Sequence, residues 1–156
     1  MLRSCLIICV MKIAINAGYG GFSLSAKALK YMADKLGKPI YFFKHEMQPE
    51  TKATVYVPIT LEEAQGTWFG LCAFNIENPN TVTDLNEKYR EYYWDFRPSK
   101  EDRANPLLIE TIEALKDEAS GSNCEIKIVE VPDDVVWIIQ EYDGWEWVAE
   151  KHRTWG

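Results

Sequence analysis

The chain predicts an α+β (or α/β) single domain with a mixed sheet, and three features carry that expectation. A strand, glycine loop, helix and strand open it, a second helical stripe lies past its middle, and clean alternation flanks Asp143-Gly144 near its end. At 156 residues and 47% hydrophobic content the chain is long enough to bury a core of its own.

The first ten residues, with Arg3 ahead of an apolar run, imitate a secretory signal. The run is too short to span a bilayer and has no small-residue cleavage site, so Met11 is the expected native start. Cys9 to Asn16 is nearly continuously apolar, which predicts a strand covered on both faces. Ser23 and Ser25 suit a helix N-cap. Ala28, Leu29, Met32, Ala33 and Leu36 then recur at helical spacing until Gly37, predicting a helix over 25–36. Ile40 to Lys44 is the next strand and completes a βαβ unit, right-handed if its strands are parallel.

Residues 45–53 have no periodicity and read as an exposed loop, with His45 solvated. Thr54 to Pro58 is a short strand, Thr60 and Glu63 fit a capping box on a brief helix, and Thr67 to Phe74 is a buried strand. From Asn75 to Asp102 the chain is polar and aromatic, with no clear secondary structure. Asn105-Pro106 is an N-cap and N1 pair that opens a second main helix over 106–119. Two strands follow at 124–128 and 135–142. Asp143-Gly144 then predicts an antiparallel hairpin returning through Trp145 to Lys151, with a short helix from Asp143 as the competing reading.

The charge of −7 argues against binding along a nucleic-acid backbone, and no segment suits a membrane span. Four cysteines without C-x-x-C spacing or a neighbouring histidine read as reduced thiols, so no metal site and no cofactor is expected.

The run Lys12-Ile13-Ala14-Ile15-Asn16 with Tyr19-Gly20-Gly21-Phe22-Ser23-Leu24-Ser25 resembles the opening of a small, mostly uncharacterised bacteriophage protein family. Arg103-Ala104-Asn105-Pro106-Leu107, the Val-Pro-Asp-Asp turn at 131–134 and the close from Glu141 to Trp155 resemble that family too. The resemblance covers 12–37 and 103–155. It implies a phage protein acting in the host cytoplasm, and no chemistry.

Gly18, Gly20 and Gly21 before a helix N-terminus form a candidate phosphate cradle, although neither Walker A nor G-x-G-x-x-G is met; the plainer reading is a tight turn. In the C-terminal stretch, alternation puts Glu146, Val148, Glu150 and His152 on one face and Trp145, Trp147 and Ala149 on the other. Glu146, Glu150 and His152 are therefore the catalytic candidates of an enzyme. Alternatively, the tryptophans are buried and the carboxylates solvated. Arg103 and Arg153 are candidate charge partners for a phosphate or simple ion-pair members. The ligand set drawn from both ends of the chain is Asn16, Tyr19, Gly20, Gly21, Ser23 and Arg103 with Asp143, Trp147, Arg153 and Trp155. Six tryptophans, eight tyrosines and six phenylalanines either fill the core or offer stacking partners for a flat ring, with Tyr92 and Trp94 among the candidates.

Three expectations follow. Together with the phage resemblance, this pocket suggests a sponge that sequesters a nucleotide-derived immune signal, such as the cyclic nucleotides or cyclic ADP-ribose relatives of CBASS and Thoeris. An enzyme hydrolysing such a nucleotide is the second, and an acidic inhibitor of a host protein is the third. A homo-oligomer is expected, because ligand sites of this kind often lie between subunits.

Overall fold

A strand buried on both faces needs a layer on each side, and the first strand has both. The computed structural model describes residues 9–67, 70–81 and 98–152. Strand β1 (Val10–Asn16) pairs antiparallel with Ile126–Pro132, register Val10↔Pro132 to Asn16↔Ile126. Ala14 and Ile126 face helices, joining Ala28, Leu108, Ile109 and Ile112 in one core. Ile13 and Ile15 point the other way and meet Ile139, Trp137 and Val148 of the C-terminal hairpin.

Helix α1 (Ala26–Lys35) starts where Ser25 Oγ accepts the Ala28 N–H at 3.1 Å and ends in Leu36 and Gly37. Its small residues allow contact on two sides. Ala28 lies in the core under β1, whereas Ala26 lies in a second core with Phe42, Ala64 and Ala73. That core belongs to a separate antiparallel sheet of β2 (Tyr41–Met47), β3 (Thr54–Ile59) and β4 (Leu71–Phe74), ordered β3-β2-β4. Strand, helix and strand thus follow in the expected order, but β1 and β2 join different sheets. No parallel pair is formed among the described strands.

Between β3 and β4, α2 (Leu61–Gly66) carries the expected capping box. Thr60 Oγ1 accepts the Glu63 N–H, and the Glu63 carboxylate accepts the Thr60 N–H at 2.8 Å. Donation from the Thr60 N–H and from its hydroxyl holds the exposed Glu63 carboxyl below its usual range. Helix α3 (Pro106–Leu115) is capped by Asn105 Oδ1, which accepts from Leu107 and Leu108, and a 3-10 turn at Lys116–Ala119 completes the predicted span. β5 (Ile126–Pro132) begins two residues later than expected, because Cys124 and Glu125 are held by the glycine loop instead.

The loop expected at 45–53 is corrected: β2 runs on to Met47, with His45, Glu46 and Met47 opposite Tyr56, Val55 and Thr54. Those three residues are exposed, so no side-chain alternation betrays the strand, and ladder hydrogen bonds alone define it. The hairpin prevails over the competing helix at Asp143. β6 (Trp137–Tyr142) and β7 (Trp145–Glu150) pair from Trp137↔Glu150 to Tyr142↔Trp145, and Asp143 (φ 50°) with Gly144 (φ 83°) forms the two-residue turn. The architecture is α+β. No described helix is long and apolar enough to cross a membrane. The leader at 1–8 and the aromatic segment at 82–97 lie outside the described residues.

The hairpin tip is seated against the glycine loop, since a Cβ on Gly144 would lie 2.6 Å from the Tyr19 carbonyl oxygen and 2.8 Å from the Gly21 nitrogen. Gly144→Ala should therefore lower stability by more than ~1 kcal/mol in urea titration. Gly37→Ala, at φ 62° but with open space around it, should cost less. Equal losses would mean that the tip does not touch the loop.

Candidate functional site

At the end of β1, Asn16 is fully buried and uses its whole side chain to hold the two ends of the domain together. Nδ2 donates to the carbonyls of Gly18 (2.9 Å) and Gly144 (2.8 Å). Oδ1 accepts the N–H groups of Gly18 and Glu125, both at 3.0 Å. Its four side-chain hydrogen-bonding positions are filled, so Asn16 has nothing left to offer a ligand.

The glycine loop is occupied in the same way. A Cβ on Gly20 would stand 1.8 Å from the Asn123 carbonyl oxygen, and the Ser23 N–H is directed at Cys124 Sγ. At the helix start, the N–H groups of Lys27 and Ala28 are taken by Gln65 Oε1 and Ser25 Oγ. The phosphate-cradle expectation for Gly20 and Ser23 is corrected accordingly: the close backbone approach that glycine permits is made to the chain itself. Gly21 lies beside the hairpin tip. Tyr19 does reach the surface, where its ring meets Trp145 edge-on at 5.9 Å.

Beneath the hairpin, Arg103 and Glu146 are 5% and 3% exposed and form a bidentate pair, Nη1–Oε2 at 2.7 Å and Nη2–Oε1 at 3.0 Å. The remaining contacts complete the site. Arg103 Nε donates to the Pro98 carbonyl, Nη1 also to the Ala14 carbonyl, and the Phe22 ring covers the guanidinium at 3.6 Å. Glu146 Oε2 also accepts the Asn16 backbone N–H at 2.8 Å. Two expectations are corrected here. Arg103 is not a charge partner for a ligand, because Glu146 neutralises it. Glu146 is not placed as a general acid or base, because both of its oxygens are bonded inside the protein.

The alternation along β7 is as expected, but its faces are reversed relative to the plainer reading: Glu146 is buried, whereas Trp145 and Trp147 are exposed. The cause is Arg103, which supplies a counter-charge under the sheet. Glu150 lies opposite Trp137 at the far end of the strand, roughly 13 Å of chain from Glu146 at about 3.3 Å per residue. His152 is exposed just beyond, and Asp143 is an exposed turn residue at the other end. The three catalytic candidates are therefore not gathered around one point. Arg153 and Trp155 lie outside the described residues, as do Tyr92 and Trp94.

His45 belongs to a strand instead of a solvated loop, with Nδ1 3.7 Å from Cys72 Sγ. Burial pushes the Cys72 thiol up, and burial is also the main cause raising Cys124, so both sulfurs stay protonated near neutrality.

Away from the buried pair, at the open end of the hairpin, a cleft of about 380 Å³ is lined by Val136, Trp137, Ile138 and Ile139, with Lys100, Glu101 and Lys151 among its walls. Local hydrogen bonding builds it. The Lys151 N–H donates to the Val136 carbonyl at 2.7 Å, and Lys100 reaches Glu141 at 2.9 Å along the outer edge of β6. Sequence reading missed this cleft because its two lysines lie 51 positions apart and belong to no motif. Only the alternation around Trp137 gave a signal, and it read as a strand. No known family profile, curated protein or solved structure matches the chain.

Removing one member of the buried pair, by Glu146→Gln or Arg103→Met, should cost ~3–5 kcal/mol in chemical denaturation, because an unpaired charge or donor array stays buried. The double variant Arg103→Met/Glu146→Leu should lose less than the sum of the single losses. Strict additivity would show that the pair is not coupled.

Proposed function

We propose that the chain is a binding protein for a small, anionic, nucleotide-like molecule, held in the cleft at the open end of the hairpin. The observation that carries this reading is the meeting of an indole, an aliphatic floor and two lysines around a space of about 380 Å³, within the usual size range for small-molecule sites. The half-buried Trp137 offers an aromatic surface to a base, Val136 and Ile138 add apolar wall, and Lys151 supplies the charge for a phosphate, since Lys100 is already paired with Glu141. Glu101 disfavours a second anionic group on its side, which gives the site a preferred orientation for its ligand.

Binding is favoured over turnover because the described cleft walls present two lysines, a glutamate and apolar side chains, with no serine, cysteine or histidine among them, and the expected acid Glu146 is fully bonded elsewhere. The resemblance to phage proteins extends the proposal to sequestration of a host immune signal in the infected cell.

Incubation with cyclic dinucleotides, cyclic trinucleotides and cyclic ADP-ribose isomers, with and without magnesium, followed by mass spectrometry of the retained fraction, tests the reading. The expected outcome is an intact ligand released only on denaturation, with affinity reduced at least about tenfold in Lys151→Glu at unchanged thermal stability. Retention of nothing from the panel would overturn it, and conversion of a ligand to a new mass would replace binding by catalysis.

A further inference from the structure

The hairpin has one face turned away from the protein, and its composition is unusual for so acidic a chain. Strand alternation places Ile138, Gln140 and Tyr142 of β6 on that face with Trp145, Trp147 and Ala149 of β7. Tyr142 is 75% exposed, Trp145 48% and Trp147 43%, and Tyr19 extends the patch at 67%. The same alternation sends Glu141, Glu146 and Glu150 to the opposite side, so the aromatic face carries no charge along its length. Its only indole N–H in the centre is already satisfied, Trp147 Nε1 donating to Gln140 Oε1 at 3.0 Å, which leaves the rings free to meet an apolar surface.

Charge marks the two ends of this face. Asp143 stands at the tip, and Lys151, just past the end of β7 and beside the cleft, stands at the base. A two-fold axis through the Gln140–Trp147 pair would lay two hairpins face to face and antiparallel, tip over base. Each Asp143 then comes to a Lys151 of the other copy, and the indoles meet at the centre. The surface is self-complementary, as an isologous contact requires.

We infer that this face is the contact between two copies of the chain. Two molecules of charge −7 repel over most of their surface, and here they meet across a neutral patch bounded by two opposite-charge pairs. Nucleic acid, the other partner that stacks on exposed aromatics, is disfavoured by that same net charge. Exposed tryptophan and tyrosine grouped on one face also suit the centre of a protein interface. The contact face shares Ile138 and Lys151 with the cleft, but the inference rests on Tyr142, Trp145 and Trp147, which lie outside it, so the hairpin substitutions test it separately from ligand binding.

Analytical ultracentrifugation of the full chain tests it. The wild type should sediment at twice the 18.0 kDa chain mass in the micromolar range. Trp147→Glu and, separately, Tyr142→Glu should each weaken association at least about tenfold, with far-UV circular dichroism and thermal midpoint retained. Met47→Glu, an exposed apolar position on the three-stranded sheet, should leave the dimer intact. A wild type that stays at the single-chain mass at a hundred micromolar would overturn the inference. So would a dimer that survives both hairpin substitutions.

Discussion

The buried pair between Arg103 and Glu146 is the interaction on which the arrangement of this domain depends. Arg103 comes from the 3-10 turn before α3, and Glu146 from the C-terminal hairpin. The backbone between them belongs to β1, whose Ala14 carbonyl and Asn16 N–H bond to the guanidinium and the carboxylate in turn. Three segments that share no ladder are thus fixed at one point. A buried ion pair is weak as a source of net stability, since desolvation offsets much of its attraction. Its effect here is on geometry. With the planar fork satisfied by one carboxylate, only one orientation of the hairpin leaves no buried charge unpaired.

That constraint bears on how a small chain supports several separate apolar clusters. The β1–β5 ladder is covered on one side by α1 and α3 and on the other by the hairpin. α1 then shares its second side with the three-stranded sheet through Ala26. Small side chains along the helix make this double contact possible, because alanine lets two surfaces approach the same backbone. The glycine loop closes the remaining seam between hairpin tip, β1 and the turn at Asn123.

Most local structure was legible in the sequence because the signals are chemical and short-range. Ser25, Thr60 and Asn105 cap the helices they were expected to cap, and Asp143-Gly144 makes the expected turn. The continuous apolar run of β1 foretold two covering layers. What the sequence did not reveal depends on partners far along the chain. Alternation along β7 separates its two faces but does not say which is buried, and the inward one carries a carboxylate only because Arg103 lies beneath it. Likewise a glycine-rich turn looks the same whether a phosphate or Asn123 occupies the space beside it. The extension of β2 to Met47 was hidden for a different reason, since exposed residues on both faces show no period. The cleft beside Trp137 was illegible because no spacing links Lys100 to Lys151.

The separation of Arg103 and Glu146 by 43 positions has a consequence for truncation. Arg103, both main helices and β1 come earlier in the chain than Glu146, the carboxylate that pairs with Arg103 among the described residues. Without that carboxylate the guanidinium must stay hydrated, and hydration keeps open the seam where Phe22 and Asn16 close. Closing that seam therefore requires the hairpin to be in place. A chain ending before Glu146 would leave Arg103 without its carboxylate and the seam beneath the hairpin uncovered.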